Sequence, residues 1–367
     1  MIKRGRALLV PFLFVLIIDS FIRKSNSIKM SSPIVTSLMA YGMSGRVFHA
    51  PFIALNSGFK LKAVVERHEK KAAADHPGII SYNNVDELLS DNEIELIIVN
   101  TPGSTHFELA TKALEAGKHV LIEKPIAVTS AETKALFDLG KKVGRHVMVY
   151  QNRRWDSDFV SVKKIIESGK LGELIEVHFR FDRYKTTLSP KLFKESKSVP
   201  ANGLVYDLGP HLLDQAISLF GKPLSYSLTT GIYRENSEVT DYFNYHLKYP
   251  HQLNVYLTSC LLIAQPIPSF VVHGTLGSFI KDRVDTQEAQ LDNSIWPDAP
   301  GYGIEPAGEE GILVTFGSDN EKIKEKVASE KGNYMGLFEA VYHTIRNKAL
   351  FPITEEHIAW QLEMLEG

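Results

Sequence analysis

Three short stretches of the chain bring together residue types that can do chemistry. In HVLIEKP, Glu123-Lys124-Pro125 follows an apolar run. A lysine at such a strand end can donate to a substrate hydroxyl or share a proton, the more so when partial burial lowers its pKa. Further on, Asp207-Leu208-Gly209-Pro210-His211 sets a carboxylate and an imidazole four residues apart. The two share one face if the backbone is helical, and an imidazole beside a carboxylate is a general base for an alcohol proton. The third stretch, Ala40-x-Gly42-x-x-Gly45, is a dinucleotide fingerprint with alanine in place of the first glycine. Gly42 would let the backbone approach a pyrophosphate, and Gly45 would allow close helix–strand packing. The helix start behind them offers free N–H groups and a positive dipole end to phosphate. Each stretch also has a plainer structural role: a surface lysine, a capping aspartate with a core histidine, a tight turn.

These residues need elements to hold them, and the pattern supplies a first set of strands alternating with helices. Apolar or alternating runs at 34–40, 59–66, 94–100, 118–123 and 146–150 read as strands. Helical patterns at 46–56, 105–116 and 129–143 lie between them, the last two stopped by Gly117 and Gly144. Such alternation predicts βαβ units and a parallel, Rossmann-type sheet over residues 31–150. Glu66 closes the second strand, 21 residues after Gly45, where an acid usually bonds the ribose hydroxyls. Arg67 follows it and favours the 2′-phosphate of NADP, which Glu66 would repel. The expectation is NADP or NAD, leaning to NADP.

Beyond Tyr150 the pattern changes. Helices are expected at 158–168 and 203–219 and a long strand at 174–184. Strand-like runs then follow one another at 224–232, 241–247, 253–258, 270–274 and 278–281. Strands without intervening helices predict an α+β domain, residues 151–367, built on a large, mainly antiparallel sheet. A Gly/Pro-rich loop at 301–311 and helices at 334–347 and 354–365 close the chain. An exposed apolar face on that sheet would seek a partner, so a homo-dimer or homo-tetramer is expected.

Composition narrows the class. Hydrophobic residues make up 44% and charged ones 23%, which excludes wholesale disorder and a multi-span membrane protein. The single cysteine, Cys260, excludes a disulfide scaffold and a cysteine zinc site, and no metal is expected. Residues 1–30 hold six basic side chains and one acid, leaving 35 basic against 42 acidic for the rest, a net −7. That body gives no reason to expect nucleic acid. Residues 7–18 are an apolar run behind a basic start, only ~18 Å long as a helix against a ~30 Å hydrocarbon core. A signal, an anchor and a true start at Met30 all remain open for this extension. Contact with a membrane is expected only if residues 1–30 anchor the chain, and the expected location is cytoplasmic.

Together the motifs AYGMSGRVFHAPF at 40–52, NTPGSTH at 100–106, EKP at 123–125 and GLVYDLGPH at 203–211 resemble the Gfo/Idh/MocA family of oxidoreductases. Within it, AVVERH at 63–68 and NRRWDSDF at 152–159 look most like the scyllo-inositol dehydrogenase branch, whose members tend to prefer NADP. The resemblance implies a catalytic Lys124, Asp207 and His211, with reversible hydride transfer between a nicotinamide and a ring carbinol carbon. His211 would take the hydroxyl proton, Asp207 would orient it or bind a neighbouring hydroxyl, and Lys124 would bond the reacting oxygen. It places Gly42, Gly45, Glu66, Thr101, Pro102, His106, Glu123 and Lys124 along the cofactor, with Ser44, Arg46 and Arg67 beside them. Arg154 and Trp155 are candidate contacts to a polyol or sugar, Trp155 having interdomain packing as its alternative. A glycosidase using a tightly held NAD and a non-catalytic dinucleotide sensor are the competing functions. Ala40 and the N-terminal extension depart from the family pattern.

Overall fold

The computed structural model describes residues 32–367, so the expectations for residues 1–30 lie outside the described residues. Among the described residues, no helix is long and apolar enough to cross a membrane. No group of three or more His, Cys, Asp or Glu is placed there to hold a metal ion.

The first sheet takes β1 (Ile34–Leu38), β2 (Phe59–Val65), β3 (Ile80–Tyr82), β4 (Leu96–Val99), β5 (His119–Ile122) and β6 (Val147–Val149). Their order is β3-β2-β1-β4-β5-β6, every pair parallel. β4 is buried at all four positions, as a continuous apolar run must be when helices cover both faces. The order reverses between β1 and β4, and ligands sit outside the strand ends at such a switch point. Among the described residues this half holds α1 (Ala50–Leu55), entered through the helical turn Gly45–His49, then α2 (Ala72–Asp75), α3 (Val85–Leu89), α4 (His106–Glu115) and α5 (Ser130–Val143), while α6 (Ser157–Glu167) leads into the second half.

The second sheet holds β7 (Leu174–Arg180), β8 (Ser225–Gly231), β9 (Tyr242–Lys248), β10 (Asn254–Cys260), β11 (Phe270–Gly274), β12 (Gly277–Lys281), β13 (Gly311–Phe316) and β14 (Lys322–Val327). Its order is β14-β13-β12-β11-β7-β10-β9-β8, antiparallel except where β10 meets β7. α6, α7 (Leu204–Asp207) and α8 (Gly209–Phe220) lie on its inner face, over Val177, Phe179, Phe243, Leu257 and Phe279. α9 (Thr286–Asp292) follows β12.

The final helices return to the first sheet. α10 (Met335–Asn347) lays Leu337, Phe338 and Val341 into the core formed by Leu38, Phe52 and Ile98. The rings of Phe52 and Phe338 stack at 5.3 Å. α11 (Glu355–Glu366) packs between α5 and α8. The two sheets thus share helices and form one compact unit, Pro33–Gly367.

Two expectations change here. The helix foreseen at 203–219 is broken at Leu208 (φ −107, ψ −22), and the break separates α7 from α8. The outer face of the second sheet is apolar only in part. One cross-strand row reads Ile312, Ile280, Val271, His178, Tyr256 and His246. Its β11–β13 half is aliphatic, while His178, Tyr256 and His246 stack ring on ring at 4.8 and 4.5 Å.

Candidate active site

The site starts at the turn after β1. A Cβ on Gly42 would meet nothing within 4 Å, so the backbone stands open there to an approaching group. A Cβ on Gly45 would stand 2.3 Å from Ala40 O and 2.7 Å from Asn100 Nδ2, so the turn closes only on glycine. Asn100, at the end of β4, clamps Ala40 from both sides: its Oδ1 accepts from Ala40 N (3.1 Å) and its Nδ2 donates to Ala40 O (2.8 Å). Asn100 thereby ties the turn to the switch point, and no spacing rule had singled it out. A cavity of about 880 Å³ opens above, walled by Gly42, Glu66, Arg67, Thr101 and Pro102 among others. An open glycine backbone at a helix start, beside a cavity of that size, fits a dinucleotide.

Glu66 sits at the expected strand end, but local structure has claimed its carboxylate. Oε1 accepts from the N–H groups of Lys71 (2.7 Å) and Ala72 (3.1 Å), and Oε2 accepts from Ser81 Oγ (2.6 Å). That occupies three of roughly four lone-pair sites. Arg67 beside it is exposed. Arg46 turns to Asp75 at 3.1 Å. His106, expected along the cofactor, is 1% exposed and does not line the cavity. Its ring nitrogens lie 2.7 Å from Pro125 O and 2.8 Å from Thr101 O, so it shapes the two loops from behind.

Glu123 anchors the other end of the turn. Its Oε1 accepts from Ser44 Oγ (2.7 Å) and from His49 Nε2 (2.9 Å), and Oε2 accepts from Lys124 N (3.3 Å). Burial alone would raise its pKa. The bond and charge of His49, the Ser44 hydroxyl and Lys124 instead hold it at about 2. His49 is fully buried against Tyr150, with ring centroids 4.3 Å apart. It stands four residues after Gly45, and nothing in the spacing distinguished it from a core histidine.

Lys124 crosses to the second half of the chain. Its ammonium donates to Asp207 O (2.6 Å) and approaches Asp207 Oδ1 (3.4 Å). The break at Leu208 leaves Asp207 on α7 and His211 on α8, so the expected Asp207–His211 pair gives way to an Asp207–Lys124 pair. The Asp207 side chain is 60% exposed to the cleft. Any rise from burial is outweighed by Lys124, Arg183 and Lys194, which lower its pKa and keep it ionised. His211 is 7% exposed, with Nδ1 buried and without a hydrogen-bond partner. Burial first, then the charges of Lys124, Arg153, Arg283 and Arg183, drive its pKa well below the usual imidazole value. The result is a neutral imidazole near an ammonium.

Arg154 and Trp155, expected to meet substrate, make their contacts within the protein. Arg154 grips Asp214 on α8 through Nε (2.7 Å) and Nη2 (2.8 Å). Its Nη1 donates to Pro352 O (2.8 Å), and Nη2 also reaches His357 Nδ1 (3.2 Å) on α11. Four of its five N–H donors are thus spent on the protein. Trp155 packs against the cores on both faces of the first sheet, so tightly that a Cβ on Gly336 would stand 2.7 Å from its Nε1. The neighbouring Arg153, missed in the sequence, is bonded to Asp156 (3.1 Å), Asp285 (2.7 Å) and Glu288. Burial, with Asp158 and Asp285 nearby, raises Asp156 to about 7 against the pull of Arg153. Arg154→Ala is expected to cost about 3–5 kcal/mol of unfolding free energy, because it strands a buried Asp214. The KM for substrate should hardly move. Denaturant melts and initial rates on the same variant check both, and a stable variant with a raised KM would restore Arg154 to the substrate.

Comparison with known proteins agrees with this geometry. A family model described as an oxidoreductase family with an NAD-binding Rossmann fold matches residues 39–151. A second, described as the GFO/IDH/MocA C-terminal domain, matches residues 159–280. An uncharacterized oxidoreductase of Schizosaccharomyces pombe is 40% identical over 356 residues, covering 91% of this chain and 96% of the relative. The scyllo-inositol 2-dehydrogenase (NADP(+)) of Bacillus subtilis is 31% identical over 334 residues, covering 91% and 90%. The crystal structure of an oxidoreductase from Bacillus cereus superposes with a TM-score of 0.83 at 34% identity, covering 91% of this chain and 95% of that one.

Proposed function

The chain belongs to the Gfo/Idh/MocA family of NAD(P)-dependent oxidoreductases, and from that premise we propose that it oxidises a ring hydroxyl of a cyclic polyol or sugar, reversibly, with His211 and Lys124 acting on the reacting oxygen. The observation that carries the reading is the nearly buried His211 imidazole, its Nδ1 sealed inside, in the first turn of the helix that follows the Lys124–Asp207 contact. The Bacillus subtilis relative, whose name gives an inositol substrate, supports the substrate class.

When bound, a nicotinamide supplies the acceptor for the hydride that leaves the carbinol carbon. The chain does the rest. Gly42 and the helix start receive the pyrophosphate, while Thr101 and Pro102 wall the cavity. His211 takes the hydroxyl proton. Its Nδ1 is sealed inside the protein, which leaves Nε2 to receive the proton. Asp207 holds the Lys124 ammonium by carbonyl and carboxylate, and the remaining N–H donates to the oxygen on which negative charge develops.

His211→Ala should lower kcat by roughly 10²- to 10⁴-fold while cofactor Kd hardly changes. The sign of the pH dependence follows from the depressed pKa. His211 stays neutral as pH falls through about 6.5, the ordinary imidazole value, so the acid limb of kcat/KM for oxidation lies below that pH. By the same linkage, the stability that the neutral ring contributes is present above about pH 6.5 and is lost as pH falls toward the folded-state value. Near-normal turnover in a folded His211→Ala enzyme would sink this mechanism.

For the cofactor we favour NADP. The Glu66 carboxylate is held by its own backbone and Ser81, and Arg67 is the exposed cation next to it. Arg67→Ala should weaken NADP binding about tenfold and leave NAD binding nearly unchanged, measured as paired Kd values. Equal losses for both cofactors would remove Arg67 from the 2′-phosphate.

The protein is further proposed to be a homo-dimer or homo-tetramer that buries the aliphatic half of the outer sheet face, around Val271, Ile280 and Ile312. Sedimentation at micromolar concentration should give a multiple of the chain mass. A clean monomer would contradict it.

A further inference from the structure

Three guanidinium groups surround one aromatic ring in the second half of the chain. The Cζ atoms of Arg283, Arg153 and Arg183 lie 4.4, 4.9 and 5.0 Å from the ring centre of Phe181. Two of the three have a carboxylate within 4.0 Å. Arg153 is bonded to Asp156, Asp285 and Glu288. Arg283 faces Asp156 at 3.8 Å and Asp158 at 4.0 Å through Nη1, which is buried and bonds neither. Arg183 is exposed, and among the described residues its guanidinium has no carboxylate within 4.0 Å and no hydrogen-bond acceptor, although its charge is felt at Asp285 and Glu288. An unpaired arginine ordinarily extends into water. This one stands over an aromatic ring, a contact that holds the guanidinium close to the protein.

Its place in the fold is beside the chemistry. Arg183 N donates to Cys260 O (2.9 Å), Leu261 N to Asp241 O (3.0 Å) and Leu204 N to Thr240 O (2.7 Å). These steps run from Arg183 to the start of α7, the helix that carries Asp207. At Asp207 burial raises the pKa, and Lys124, then Arg183, then Lys194 lower it; at His211 burial lowers it first, followed by Lys124, Arg153, Arg283 and Arg183. A neutral polyol would leave this guanidinium unanswered. A carboxylate or phosphate would take two parallel N–H bonds from it.

We propose that the substrate carries an oxyanion, the carboxylate of a sugar acid or the phosphate of a sugar ester, and that Arg183 is the cation that binds it. This rests on the dehydrogenase reading above and narrows it.

The test compares kcat/KM, with NADP and with NAD, for glucose, glucuronate and glucose 6-phosphate, and for inositol against inositol 1-phosphate. At least one acidic compound should exceed its neutral parent by about tenfold or more. Glucuronate and glucose 6-phosphate distinguish the carboxylate from the phosphate. In Arg183→Ala the acid-to-neutral ratio should fall toward one, and Arg183→Lys should keep part of it. Lys170→Ala, which removes another exposed cation, should leave the ratio as it was. A wild-type enzyme that prefers the neutral parents, or an Arg183→Ala variant that keeps the full ratio, overturns this proposal and leaves the dehydrogenase intact. If none of the compounds is turned over, the dehydrogenase reading for these substrates fails separately. Calorimetric titration of glucuronate and glucose 6-phosphate into the NADP complex then decides: binding abolished by Arg183→Ala upholds the oxyanion site, and the absence of binding overturns it.

Discussion

The ammonium of Lys124 leaves the end of β5 and meets both the carbonyl and the carboxylate of Asp207, 83 residues further along the chain. This contact joins the sheet that forms the dinucleotide cavity to α7 in the second half. On one side, Lys124 N is bonded to Glu123, whose carboxylate also holds Ser44 in the turn and His49 beneath it. On the other, Asp207 ends α7, and one residue later α8 begins with His211 in its first turn. The turn, the His211 ring and Lys124 therefore hang on one charged link. A charge-assisted link suits the position, since it fixes direction as well as distance.

Around that link the seam between the sheets is closed by buried charge rather than by hydrocarbon alone. Arg154 binds α8 and the segment leading into α11, while Arg153 gathers carboxylates from the start of α6 and from α9. Buried pairs add little net stability when complete, but losing one partner is costly because the other stays buried and uncompensated. Their charges also set the state of the site, since the positive excess around His211 adds to burial in keeping its ring neutral.

Legibility in the sequence followed burial. Strands covered on both faces, such as β4 with its four buried residues, announced themselves as apolar runs. The strands that went unread sit at or beside sheet edges. β3 has three residues, and β14 reads Lys-Ile-Lys-Glu-Lys-Val, exposed over nearly its whole length. Edge strands carry charge to discourage further pairing, which erases the apolar pattern that would reveal them. In the site, Gly42 and Gly45 were legible because a backbone geometry demands them. Asn100, His49 and Arg153 were not, because their partners come from other elements.

The sequence by itself determined the parallel sheet, the second, mainly antiparallel sheet, the glycine turn and the family to which the motifs belong. Each of these is written in local spacing or apolar period, which one stretch of chain carries alone. Only the tertiary structure decided that Asp207 pairs with Lys124 rather than His211, that Glu66 caps its own loop, and that Arg154 and Trp155 lock helices together. A helical spacing of four residues promised the first pair, and a single break at Leu208 undid it. The partner of a charged side chain is set by which opposite charge the fold brings within about 3–4 Å, and sequence distance carries no record of that.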